Sequence, residues 1–158
     1  MERNTKPVQE KLAALRALMR REGIDAFITP STDPHSGEYI PDRWKSREWI
    51  SGFDGSAGIA VVTADKAALW TDSRYFIAAA EQIEGTDFVL MKEKIEGTPT
   101  QAQWLAEVLM PNAKGKRPVV AIDGWVNTAA ETQALKDELM EYGIDLRADI
   151  DPYAEIWT

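Results

Sequence analysis

The chain has no cysteine and only one histidine in 158 residues. The first absence excludes disulfides and thiolate metal sites within this polypeptide, and it is compatible with the reducing cytosol. The second excludes any metal or proton-transfer machinery that draws two histidines from this chain. Nor does any apolar run approach the roughly 20 residues that a membrane-spanning helix needs, so no membrane partner is expected. Met1–Lys6 leads into a charged amphipathic segment instead of an apolar signal core, and a cytoplasmic protein is the expectation. Positive charge is also in short supply: 18 Lys and Arg stand against 26 Asp and Glu, a net −8. An acidic chain repels phosphate backbones, so nucleic acid is not an expected partner. The densest basic cluster, Lys114-Gly115-Lys116-Arg117, reads as a solvated loop before a strand. There is no internal repeat and no low-complexity tract.

What is present is alternation of helical and strand patterns over a length that suits one domain. Pro7–Arg21 carries Val8, Leu12, Leu15, Leu18 and Met19 at helical spacing, with proline in the first turn and Gly23 at the end. Ile24–Thr29 reads as a strand, Pro30–Pro41 as a long irregular loop, and Arg43–Ile50 as a short helix. Ile59–Val62 and Ala67–Trp70 are short apolar runs separated by Thr63-Ala64-Asp65-Lys66, which predicts a buried hairpin. Asp72 or Ser73 caps a helix to about Ile83, with Phe76, Ile77, Ala80 and Ile83 as its apolar stripe. Phe88–Met91 is the next strand. Thr98-Pro99-Thr100-Gln101 reads as a capping box that opens a helix ending before Pro111. Pro118–Ile122 is a strand, Thr128–Glu131 opens a helix that stops at Gly143, and Ile144–Ile150 is the last strand. This order predicts an α/β domain with flanking helices and a mixed sheet: an antiparallel hairpin at the pair, and parallel crossovers afterwards. Trp70 and Trp104 are expected in the core. Trp44, Trp49, Trp125 and Trp157 would mark an interface if several are exposed.

The block Ser51-Gly52-Phe53-Asp54-Gly55-Ser56-Ala57-Gly58, followed by Trp70-Thr71-Asp72-Ser73-Arg74-Tyr75-Phe76, resembles the N-terminal domain of the creatinase, prolidase and aminopeptidase P family. Further matching segments run in the same order: Ile28-Thr29-Pro30-Ser31 to Glu38-Tyr39-Ile40, then Gly97-Thr98-Pro99-Thr100 with Trp104, then Ile156-Trp157-Thr158. Together they span nearly the whole chain, and the likeness is nearest to the large cytosolic type of Xaa-Pro aminopeptidase. The resemblance implies a ribonuclease-H-like mixed sheet. It also implies that residues 1–158 are the first domain of a longer metallopeptidase, whose C-terminal pita-bread domain, holding two metal ions, manganese in this branch, is absent here. That family's ligands are two aspartates, one histidine and two glutamates in the missing domain. The chain is therefore expected to have no peptidase activity alone and to hold no metal. By resemblance its role is to support a homodimer and to close one wall of the cleft against peptides without proline in second place. A prolidase-type dipeptidase parent and a stand-alone binding module are the alternatives.

Four residues are candidates for the cleft or interface: Arg74, His35, Asp72 and Phe53. Arg74 follows a strand end in the first turn of a helix, where a cation opposes the dipole and calls for a compensating partner. An internal pair with Asp72, Asp54 or a glutamate competes with a substrate-facing role. His35 has Asp33, Glu38 and Asp42 near it in sequence, but loop spacing of this kind does not define a metal site. Ser56 lacks the glycine two residues earlier and the strand-to-helix context of a nucleophile elbow. Gly52, Gly55 and Gly58 precede a strand, not a helix, and so miss the dinucleotide fingerprint. They serve instead to give the backbone around Phe53 and Asp54 unusual angles. Asp33, Asp72 and Asp123 each follow a predicted strand, where a nuclease of ribonuclease-H type would bind magnesium. The capping role open to Asp72 and the turn at Asp123-Gly124 argue against it.

Overall fold

A computed structural model describes residues 6–30, 50–51, 58–112, 115–122 and 129–149. The elements are α1 (Lys6–Glu22), β1 (Ala26–Pro30), β2 (Ile59–Thr63), β3 (Ala67–Thr71) and a 3₁₀ turn (Ser73–Tyr75) running directly into α2 (Phe76–Ile83). There follow β4 (Phe88–Lys92), α3 (Gln101–Leu109), a 3₁₀ turn (Met110–Asn112), β5 (Val119–Ile122), α4 (Ala129–Glu141) and β6 (Asp145–Arg147). The six strands form one sheet in the order β4-β3-β2-β1-β5-β6. β2 runs antiparallel to both β1 and β3, while the β3–β4, β1–β5 and β5–β6 pairs are parallel. Five strands therefore share one direction and only β2 is reversed.

Strand side chains alternate across the sheet with a period of two, and each face has its own core. Phe27, Ala60, Val62, Ala67, Leu69 and Ala121 pack under α1 and α2, with Leu12, Leu15, Met19, Ala79 and Ile83 coming from the helices. Ala26, Ile28, Val61, Ala68, Trp70, Val120 and Ile122 face α3 and α4 and meet Ala102, Trp104, Leu105 and Leu139. Trp70 and Trp104 meet edge to face at 5.7 Å, and the Trp70 indole N–H donates to the Pro99 carbonyl at 2.9 Å. Both are core residues, as expected. β3 is buried along its whole length, which a strand covered on both faces requires.

α1 and α4 end in the same way. Gly23 and Gly143 take φ +70° and +76°. In each, the glycine N–H reaches back three residues, to Arg20 and Met140, and the next N–H reaches back five, from Ile24 to Met19 and from Ile144 to Leu139. This is the Schellman pattern, in which left-handed glycine turns the chain and a following apolar residue packs on the helix. It feeds the buried Ile24 and Ile144 directly into β1 and β6.

Three expectations are corrected. The capping box belongs to Thr100 and Gln103: Thr100 Oγ1 accepts the Gln103 N–H and Gln103 Oε1 accepts the Thr100 N–H. The Thr98 box fails because Pro99 lies outside the helix with its carbonyl taken by Trp70. In α2, Ala79 and Ile83 are the buried pair while Ile77 is 79% exposed, because a 3₁₀ turn precedes the helix and rotates its inward face. The last strand is three residues, Asp145–Arg147, instead of Ile144–Ile150. Ile144 is still within the helix-terminating motif, and Arg147 is drawn to the Asp149 carboxylate beyond it. Of the helix expected over Arg43–Ile50, only Ile50 is among the described residues, and it is helical and buried. The expectations for Trp44, Trp49, Trp125 and Trp157, and for the Thr128 box, lie outside the described residues.

Candidate functional site

Because β1, β3, β4 and β5 run the same way, their carboxyl ends at Pro30, Thr71, Lys92 and Ile122 share one edge of the sheet. The reversed β2 starts there too, since Ile59 pairs with both Pro30 and Trp70. In open α/β sheets this edge is where ligands gather. Of the four candidate residues, the structure places Asp72 and Arg74 there. His35 and Phe53 lie outside the described residues.

Asp72 follows β3 with extended backbone, and its carboxylate caps the 3₁₀ turn by accepting the Arg74 backbone N–H at 3.0 Å. The same carboxylate accepts from Arg74 Nε at 3.0 Å and from Nη2 at 2.9 Å. Among the described residues, Arg74 pairs with Asp72; Asp54 lies outside them. The fork-to-fork geometry is the strong form of this pair, and the capping bond ties the carboxylate to the turn that carries the arginine. The guanidinium lies 5.1 Å from the centre of the Tyr75 ring. Arg74 hydrogen bonds hold the Asp72 carboxyl below the ordinary aspartate range, assisted by the charge of Lys94. In return Asp72 raises Arg74.

The loop after β4 supplies the remaining charge. Glu93 donates its backbone N–H to the Thr71 carbonyl at 3.0 Å, which sets the start of this loop against the start of the Asp72 turn. Lys92 Nζ sits 5.6 Å over the Phe76 ring. Lys94 has φ +64°, the only non-glycine in the left-handed region among the described residues. Sequence reasoning missed Tyr75, Lys92 and Lys94. Tyr75 is the chain neighbour of Arg74 in the same turn, but nothing local announces Lys92 and Lys94, because only the parallel pairing of β3 with β4 brings them to this edge.

A second concavity, of about 490 Å³, opens at the opposite edge among Gly23, Asp25, Asp65, Leu109, Lys116 and Arg117. Its polar groups are largely engaged in holding the fold. Asp25 accepts the Val119 N–H at 2.8 Å, Thr63 Oγ1 donates to Asp65 at 3.3 Å, and Arg117 pairs with Asp145 at 2.9 Å. Among the described residues, no three His, Asp or Glu side chains come together as a metal site would require. No helix among them is long and apolar enough to cross a membrane.

Helices on both faces of a sheet with one reversed strand, and an arginine–aspartate pair at its carboxyl edge, define a three-layer α/β domain. The chain belongs to the creatinase/prolidase N-terminal domain family, whose profile matches residues 11–151. It is 41% identical to aminopeptidase P2 of Arabidopsis thaliana over 154 residues, covering 95% of this chain and 21% of that protein. A probable Xaa-Pro aminopeptidase P of Verticillium alfalfae is 44% identical over 133 residues, again with 21% of its own length matched. The chain thus spans about a fifth of the length of these curated relatives. Among solved structures, the X-prolyl aminopeptidase of Caenorhabditis elegans, described as a cytosolic enzyme with a di-nuclear active site, superposes with a TM-score of 0.84. The identity there is 30%, over 96% of this chain and 26% of that one. The N-terminal domain of the peptidase PepQ from Mycobacterium tuberculosis shares the fold, with a TM-score of 0.63 at 22% identity.

Proposed function

We propose that this chain is the non-catalytic first domain of a metal-dependent Xaa-Pro aminopeptidase, and that it supports a homodimer and restricts the substrate cleft. The observation that carries this reading is the extent of the match: 95% of the chain aligns with an aminopeptidase P of which it covers only 21%. The metal chemistry would then reside in the remaining four-fifths of the polypeptide, where two divalent cations, manganese in the present reading, polarise the scissile carbonyl and supply hydroxide. The cytosolic description of the nematode relative supports a cytoplasmic location. In this reading Arg74 and Asp72, together with His35 and Phe53, face the cleft or the subunit interface.

The test is an Xaa-Pro peptide assay with added manganese on this chain and on the complete gene product. Turnover is expected only from the latter. Robust hydrolysis by residues 1–158 would sink the division of labour. A gene that stops after Thr158 would favour the stand-alone binding module instead.

A further inference from the structure

We propose that Arg74 is a preset receptor for a carboxylate, oriented by Asp72 and presenting its second donor edge to the ligand. A guanidinium carries five N–H donors in a rigid plane. Asp72 occupies one edge, Nε and Nη2. Nη1 and the remaining N–H of Nη2 meet no acceptor among the described residues, and the side chain is 67% exposed. An exposed arginine ordinarily samples many rotamers, and ordering it costs entropy when it binds. Here that ordering is already done. The carboxylate of Asp72 is pinned by the Arg74 backbone N–H, and the guanidinium borders the Tyr75 ring. Asp72 is thus a positioning residue and Arg74 the contact.

The free edge fits a planar, bidentate anion. Charge selects a carboxylate over a phosphate. Asp72 offsets the charge of Arg74, Lys94 is close enough to act on Asp72, and the chain as a whole is at −8. So weakly positive a site suits a monoanion better than a dianion. The carboxylate comes from a peptide C-terminus or from a side chain of an adjoining polypeptide. This deepens the cleft-or-interface placement of Arg74 and rests on that reading only for the direction the site faces; capture itself is a property of this chain.

The experiment is a titration of the ¹⁵N-labelled chain with sodium acetate, following its guanidinium resonances, against sodium chloride at equal ionic strength. Arg74 should respond saturably, with a midpoint about threefold or more below that of the exposed Arg20, whose side chain has no such carboxylate fork among the described residues. Asp72→Ala separates preorganisation from simple attraction. It removes a repelling negative charge, so Coulomb attraction alone predicts tighter acetate binding; the receptor predicts a midpoint raised about threefold or more. Arg74→Lys keeps the charge without the fork and should also lose the response. Far-UV circular dichroism checks that each variant is folded. An Arg74 response no different from that of Arg20, tighter binding in Asp72→Ala, full binding in Arg74→Lys, or inorganic phosphate outcompeting acetate would each overturn the proposal. Alanyl-proline and its C-terminal amide then separate the sources. If the free acid binds more tightly than acetate and the amide not at all, the ligand is a peptide terminus. If it binds only as well as acetate, the ligand is a side-chain carboxylate. A failed titration leaves the peptidase reading standing, because that reading is tested by turnover in the longer protein.

Discussion

Arg16 is a residue whose importance lies entirely in its contacts. It projects from α1, and its side chain is only 13% exposed. Nε donates to the Thr63 carbonyl at 2.8 Å, Nη2 to the Lys66 carbonyl at 3.1 Å, and Nη1 to the Asp87 carboxylate at 2.8 Å. One planar fork therefore joins the first helix, the β2–β3 turn and the approach to β4. Gln9 adds to the same carboxylate at 3.2 Å. Arg16→Met keeps the apolar stem but removes a donor from each of two carbonyls and from a carboxylate, and should cost about 2–3 kcal/mol, read as a lower urea midpoint at unchanged m. Part of that difference depends on pH. The Arg16 hydrogen bond, opposed by burial and assisted by Gln9, holds the Asp87 carboxyl below its ordinary value. A depressed folded-state pKa contributes stability that is fully present above the unfolded value, about 3.9, and is lost as pH falls through the folded value. The gap between wild type and Arg16→Met should therefore narrow below about pH 4 without closing, since the two carbonyl bonds do not titrate. A gap that stays constant into strong acid would mean that the Asp87 charge contributes nothing.

At the scale of elements, legibility follows the range of the interaction that decides each feature. α1 is readable because its five core residues, Val8, Leu12, Leu15, Leu18 and Met19, all of them buried, repeat at helical spacing within one turn of each other. The hairpin of β2 and β3 is readable because its turn lies between the runs it joins. The antiparallel pairing of β1 with β2 is not, since the two strands are separated by 28 intervening positions, 31–58, with no turn chemistry that names the partner. The α2 stripe differs from its apolar spacing because a 3₁₀ turn changes the phase of the helix, and spacing alone does not record phase. In the site, Asp72 was legible as a cap and as one possible partner of Arg74, but the cations from the next strand were not. The helix stops were legible, because left-handed φ is a local demand that glycine alone meets cheaply. Gly143→Ala tests this. An added Cβ would have Met110 Cε as its nearest neighbour at 4.0 Å, an ordinary contact, so any loss reflects backbone angle and not crowding. About 1 kcal/mol is expected from φ +76°. Calorimetry showing no change would mean that the turn can relax away from the left-handed region.

For the whole molecule, the question is whether the Asp72–Arg74 pair belongs to the stability of this domain or to the work of a larger polypeptide. An exposed ion pair contributes little to folding, because water already solvates both groups well. Its geometry is nevertheless better ordered than stability requires, with three hydrogen bonds converging on one carboxylate. It stands at the edge where five parallel strands end, and the relatives of this chain are about five times its length. If the pair faces a cleft completed by those other parts, removing the arginine changes how substrate or a neighbouring subunit is held without loosening the α/β core, which is built from residues on other elements. Arg74→Ala in the complete protein should then lower kcat/KM for an Xaa-Pro peptide by about tenfold. Its melting temperature should move by no more than about 2 °C. Sedimentation of the same variant distinguishes the two ways this can arise. A dimer that persists while turnover falls places Arg74 against substrate, and a dimer that dissociates places it at the subunit contact. Proportionate loss of stability and turnover would return the pair to a purely internal role.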